Sequence, residues 1–160
     1  MGVSLRISKW FVIIAAVITL AFALLFSPLT DKASAATSSS GQKVVTYANS
    51  LKGKPYKWGG TTPKGFDASG FTQYVFKNSA KVTLPRTSKD QFKKGVAVSQ
   101  KSLQQGDLVF YKTGGNQVSF VGIYVGNGQF IGATSTGVKV NSMSLKYWKD
   151  RYAGAKRVLK

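Results

Sequence analysis

Asp67, Ala68 and Ser69 lie at the centre of the run Gly65-Phe66-Asp67-Ala68-Ser69-Gly70-Phe71, where a helix is expected to begin. A hydroxyl becomes a useful nucleophile only beside a base, and a thiol only beside an imidazole or another group that lowers its pKa. The chain has 160 residues and contains neither cysteine nor histidine. Ser69 is the nearest hydroxyl to position 68, but on a helix it points about 100° away from it. Its nearest candidate bases are Asp67 and lysines, and no spacing marks a Ser–Lys pair. Tyr56, in Pro55-Tyr56-Lys57-Trp58-Gly59-Gly60, and Arg86, in Leu84-Pro85-Arg86-Thr87-Ser88, are the other polar candidates. Without histidine, and with only scattered Asp, the chain makes a poor metal cage, so no metal and no cofactor are expected.

These residues need elements to hold them. Val44, Val45, Ala48 and Leu51 recur at helical spacing, and Gly53 and Pro55 end that helix. The segment 56–65 is dense in Gly and Pro and is expected to be irregular. Phe71, Tyr74 and Val75 share one face of a second helix over 68–80, with Asp67 or Ser69 near its N-cap. A third, short helix is expected after Leu84-Pro85-Arg86, through about Lys94. Beyond it the period changes to short β-rich runs: 107–111, 118–125, 129–133, 138–140 and 153–158. Asn127-Gly128 between two apolar runs is a hairpin signal. Helices first, then an antiparallel meander, make an α+β domain with its N-terminal helices packed on the sheet.

The N-terminus reads as an export signal. Arg6 and Lys9 precede 17 almost unbroken apolar residues, Trp10 to Phe26, and the small-residue site Ala33-Ser34-Ala35 follows. The expected organisation is a signal peptide over 1–35 cut after Ala35, a polar linker over 36–42, and one domain over 43–160. An uncleaved membrane anchor is the alternative, because 17 apolar residues sit at the lower limit for a span. Residues 36–160 carry 20 Lys and Arg against four Asp, a formal charge of +16. An exported protein this basic meets teichoic acids, anionic lipid or peptidoglycan carboxylates rather than nucleic acid. Zero cysteine excludes disulfides, so the fold must rest on its core.

Five segments, taken in order, resemble the NlpC-type, papain-like peptidoglycan endopeptidases across about residues 43–159. They are Pro55-Tyr56-Lys57-Trp58-Gly59-Gly60, Gly65-Phe66-Asp67-Ala68-Ser69-Gly70-Phe71, Leu84-Pro85-Arg86-Thr87-Ser88, Gln105-Gly106-Asp107-Leu108-Val109-Phe110 and Val121-Gly122-Ile123-Tyr124-Val125-Gly126. The resemblance implies amide hydrolysis in the peptidoglycan stem peptide by a cysteine at a helix N-terminus, a histidine base and a second orienting histidine. It places those roles at Ala68, Phe120 and Gly132, none of which can perform them. It also implies a substrate cleft lined by Tyr56, Asp67 and Ser69, in which the aspartate suits a free ammonium. Arg86 joins them as a substrate-binding candidate, with a structural ion pair as its plainer role.

The expected function is therefore that of a secreted, cell-wall-located and catalytically inactive homologue. Its partners would be peptidoglycan stem peptides or anionic wall polymers such as teichoic acid, with no permanent membrane anchor after signal cleavage. The alternative is an active peptidoglycan endopeptidase with a non-standard nucleophile.

Overall fold

Val44, Val45, Ala48 and Leu51 are all buried in the computed structural model, which describes residues 30–160. They belong to helix α1 (Thr30–Ser50). That helix begins well before Lys43, so residues 36–42, expected as a linker, are helical. Gly41 supplies a physical reason. It is buried, and a Cβ there would lie 2.0 Å from the Gln105 carbonyl oxygen, so α1 already packs against the domain at this point. Alanine, the best helix former, helps carry the helix through this stretch. The expected export signal lies outside the described residues up to position 29, and its expected cut after Ala35 falls within α1. Among the described residues no helix is long and apolar enough to cross a membrane.

Ser34–Lys160 form one compact unit. Within the turn-rich segment expected to be irregular, β1 (Thr61–Thr62) and β2 (Gly65–Phe66) pair as a short antiparallel hairpin around Pro63-Lys64. The Lys57 N–H donates to the Phe66 carbonyl at 2.9 Å, and the Phe66 N–H donates to the Pro55 carbonyl at 3.0 Å. These bonds fasten the Tyr56 loop to β2. Helix α2 (Ala68–Ala80) follows and buries Phe71, Val75 and Phe76 completely. It ends at Lys81, whose φ of 58° breaks the helical path. Helix α3 (Ser88–Gln91) is capped by the Thr87 hydroxyl and ends short of Lys94.

The remaining strands are β3 (Val96–Val98), β4 (Leu108–Tyr111), β5 (Phe120–Gly126), β6 (Gln129–Thr134), β7 (Gly137–Ser142) and β8 (Tyr152–Arg157). They form one antiparallel sheet in the order β3-β8-β4-β5-β6-β7. Strands β4 to β7 are the expected meander, and α2 lies against β5 and β6. Asn127 and Gly128, with φ of 52° and 66°, make the β5–β6 turn that their sequence predicts. Strand β8 does not extend the meander but returns to the far side of β4, and β3 pairs outside it. The short helix α4 (Lys146–Lys149) connects β7 to β8.

One buried ion pair ties this return together. Asp107 is 2% exposed and accepts from Arg157 Nε and Nη2, both at 2.8 Å, and from the Gln104 N–H at 2.8 Å. The Gln105-Gly106-Asp107 motif therefore serves the sheet: Asp107 immediately precedes β4, and its carboxylate holds the end of β8.

Candidate functional site

Asp67 precedes the first turn of α2 and takes an extended conformation, so its side chain can reach back to the free N–H groups of the helix. Its Oδ1 accepts the Gly70 N–H at 2.7 Å. The same carboxylate is gripped by Arg86: Nη1 donates to Oδ1 at 3.1 Å and Nη2 donates to Oδ2. Arg86 Nη1 also donates to Ser69 Oγ at 2.9 Å, while the Ser69 hydroxyl donates to Asp67 Oδ1 at 3.2 Å. Three of the four expected binding residues thus form one hydrogen-bonded cluster. Burial pulls the Asp67 carboxyl up, but the bonds from Arg86 and the Gly70 N–H outweigh it and hold the group below the ordinary aspartate value.

This cluster changes two expectations. Asp67 is both the helix cap and an ion-pair partner, so its charge is already answered and does not wait for a ligand's ammonium. Ser69 is 7% exposed, and its only adjacent base is a carboxylate made less basic by Arg86. Nothing in this geometry activates the hydroxyl as a nucleophile.

Gln91 holds the cluster from behind. It is fully buried, and its Nε2 donates to the Pro85 carbonyl at 2.8 Å and the Ser69 carbonyl at 3.1 Å. The Thr72 hydroxyl donates to Gln91 Oε1 at 2.7 Å. One side chain on α3 therefore joins the first turn of α2 to the loop that presents Arg86. A single glutamine in a short polar segment gives no sequence signal for this role.

Asp67, Ala68, Ser69 and Arg86 form one wall of a cleft of about 1140 Å³. Tyr56 and Trp58 line it from the preceding loop, although Tyr56 makes no side-chain hydrogen bond to the cluster among the described residues. Phe120, at the start of β5, and Trp148, on α4, form an aromatic floor with ring centroids 4.9 Å apart. Tyr147 meets Trp148 edge-on, also at 4.9 Å. Ala68, at the position assigned to a nucleophile, is 8% exposed and presents only a methyl group.

Phe120 and Gly132 occupy the positions assigned to the two histidines, and they fit one another. A Cβ added to Gly132 would stand 3.0 Å from Phe120 Cζ and 3.4 Å from its Cε1. The phenyl ring thus occupies the space that a side chain at position 132 would need. Gly132 is buried and does not line the cleft.

Tyr56, Trp58, Leu145 and Tyr147 all line this cleft, and they are four of the five exposed large hydrophobic side chains among the described residues. Trp58 is the extreme case, at 86% exposed. Sequence reasoning placed Trp58 only within its motif and passed over Leu145 and Tyr147. The available signal was three large apolar side chains, Leu145, Tyr147 and Trp148, within an otherwise polar connection. Among the described residues, no group of three or more acidic, histidine or cysteine side chains could hold a metal ion.

Comparison with known proteins agrees with this architecture. The murein DD-endopeptidase MepS/murein LD-carboxypeptidase of Escherichia coli is 47% identical over 109 residues, covering 68% of this chain and 57% of that protein. The probable peptidoglycan endopeptidase LytE of Bacillus subtilis is 45% identical over 124 residues, covering 76% of this chain and 35% of that protein. The chain therefore spans between about a third and three-fifths of the length of these relatives. An NlpC/P60 family protein from Bacillus cereus superposes with a TM-score of 0.71 at 35% identity, covering 75% of this chain and 40% of that one. Residues 53–157 match the NlpC/P60 family as a whole, and the chain belongs to that family.

Proposed function

We propose that this NlpC/P60 domain binds peptidoglycan stem peptides in its cleft without hydrolysing them. The observation that carries the reading is the concentration of exposed aromatic and apolar side chains around positions 68 and 120, where the sequence offers a methyl group and a phenyl ring. Exposed apolar surface gathered in one concavity is the usual mark of a binding site. A thiol mechanism has no cysteine and no imidazole to draw on, and Ser69 is engaged by Arg86 and Asp67. The names of the relatives, murein and peptidoglycan endopeptidases, support the cell wall as the place of action.

Charge supports the same setting. Asp67, Asp90, Asp107 and Asp150 are all ion-paired, with Arg86, Lys93, Arg157 and Lys146 respectively. Residues 39–160 contain no other acidic side chain, so the surface there offers no unpaired aspartate to repel an anionic wall polymer. Teichoic acid fits as a second, less specific partner. The basic and apolar N-terminus supports export, with release from the membrane after cleavage at Ala35.

Retention on purified sacculi across a salt series tests the reading, with free amine termini measured in the same samples. Retention at physiological salt, lost in a Trp58→Ala/Tyr147→Ala variant, with no new amine termini, is the expected result. New termini that disappear in Ser69→Ala would overturn it in favour of an active hydrolase. Retention abolished by modest salt would reduce the interaction to charge alone.

A further inference from the structure

We infer that the cleft receives the carboxylate end of a peptide rather than its amine end. This rests on the reading that stem peptides bind there and specifies which end enters. An ammonium group needs a free acceptor, and among the described residues Asp67 is the only acidic one lining the cleft. That carboxylate already accepts from the Gly70 N–H, the Ser69 hydroxyl and two guanidinium nitrogens, and its side chain is only 15% exposed. A carboxylate held this way has little left for an incoming cation.

The cations of the cleft are placed differently. Lys89 and Lys139 line it, are exposed, and take part in none of the ion pairs among the described residues. Arg86 has five N–H donors, of which three are engaged by Asp67 and Ser69, and its side chain is 41% exposed. It can therefore hold Asp67 and still offer hydrogen bonds to a second carboxylate. An ammonium entering the same space would meet three positive side chains.

The floor selects between anions. Phe120 and Trp148, flanked by Val118 and Leu145, offer apolar surface that a peptide side chain can cover. A sugar-alcohol phosphate polymer brings the negative charge but has no apolar group to bury there. A peptide ending in a carboxylate supplies both.

A synthetic stem tetrapeptide in two end-capped forms tests this on the full chain, by tryptophan fluorescence and calorimetry. One form is N-acetylated with a free C-terminal carboxylate; the other has a free amine and a C-terminal amide. The acid-ended form should bind at least tenfold more tightly, and Lys89→Gln/Lys139→Gln should remove most of that preference without moving the thermal midpoint. Equal or tighter binding of the amine-ended form would overturn the inference. So would a preference that survives in the Lys89→Gln/Lys139→Gln/Arg86→Gln variant, or stronger binding of poly(glycerol phosphate) at the same site. If sacculi retain the protein and lose it on Trp58→Ala/Tyr147→Ala, but neither peptide form binds, this inference fails while cell-wall binding through the cleft stands. If sacculi do not retain it, the binding function itself fails.

Discussion

The ring of Phe120 stands where a side chain on Gly132 would have to be, with Cζ 3.0 Å from the Cβ position. Two residues twelve apart in sequence are thereby coupled across neighbouring strands. Gly132→Ala alone should destabilise the domain by about 1–3 kcal/mol, because the added methyl overpacks a filled site. In a Phe120→Ala background the same change should cost almost nothing. A double-mutant cycle by urea denaturation reads the coupling directly, and additive effects would show that the ring yields easily.

The same coupling sets the order in which family chemistry can be restored. A side chain at position 132 must displace the Phe120 ring, whereas an imidazole at 120 lacks the distal carbon of the phenyl ring. Ala68→Cys/Phe120→His/Gly132→His should therefore fold and cleave stem peptides, releasing amine termini detectable by mass spectrometry. Ala68→Cys alone should remain silent, since its thiol gains no base. Silence of the folded triple variant would mean that the cleft no longer aligns the substrate for hydrolysis.

Asp67 and Arg86 give the site a defined response to acid. Burial raises the Asp67 carboxyl, but its hydrogen bonds to Arg86 and the Gly70 N–H overcome that and leave it below its ordinary value. A group depressed in the folded state contributes stability above its unfolded pKa, about 3.9, and loses that contribution as pH falls through the folded value. Arg86 is substantially exposed, so solvent screening limits the pair to about 1 kcal/mol. The stability gap between the natural chain and Arg86→Gln should stay constant from about pH 5 to 8 and narrow below about pH 4. A gap that widened on acidification would contradict this account.

Asp107 and Arg157 are the structural counterpart, with the carboxylate buried, the guanidinium partly exposed, and both outside the cleft. Asp107→Asn leaves the guanidinium without its charge partner and should cost about 1.5–3 kcal/mol by chemical denaturation. The peptide affinity of the fraction that remains folded should be unchanged, since the pair lies outside the cleft lining.

Much of this fold was legible because its signals are local. The period of α2, the Asn127-Gly128 turn and the apolar runs of β4 to β7 each declare themselves within a few residues. The cap of α2 was legible as Asp67 or Ser69 for the same reason, and the structure gives it to Asp67. What escaped depends on distant partners. Residues 36–42 have a linker's composition, yet they are helical, and Gly41 packs closely against Gln105. The β1–β2 hairpin forms among turn residues because the Tyr56 loop is bonded to Phe66. Asp67, Ser69 and Arg86 meet in one cluster that Tyr56 does not join, and the saturation of Asp67 by Arg86 leaves the free charge of the cleft positive. Leu145 and Tyr147 join the site only because β7 and α4 deliver them there.

Gln91 carries the last prediction, because it acts on the site without touching the cleft. Its amide bonds the Pro85 and Ser69 carbonyls, and its oxygen accepts from Thr72. Gln91→Leu would strand these buried groups at about 1–3 kcal/mol. A purely structural role would end there, with ligand affinity of the folded protein unchanged. Because Pro85 immediately precedes Arg86, loss of the tether should also free the guanidinium from Asp67 and Ser69. Two readouts separate the cases: the Arg86 side-chain NMR signal, and the preference between acid-ended and amine-ended peptides. Release of Arg86 exposes the Asp67 carboxylate, so the preference should shift toward the amine-ended form in Gln91→Leu. In Gln91→Glu the lost amide donor faces the same two carbonyls with an acceptor, and the shift should persist. An unchanged preference in both variants would show that Arg86 holds Asp67 unaided.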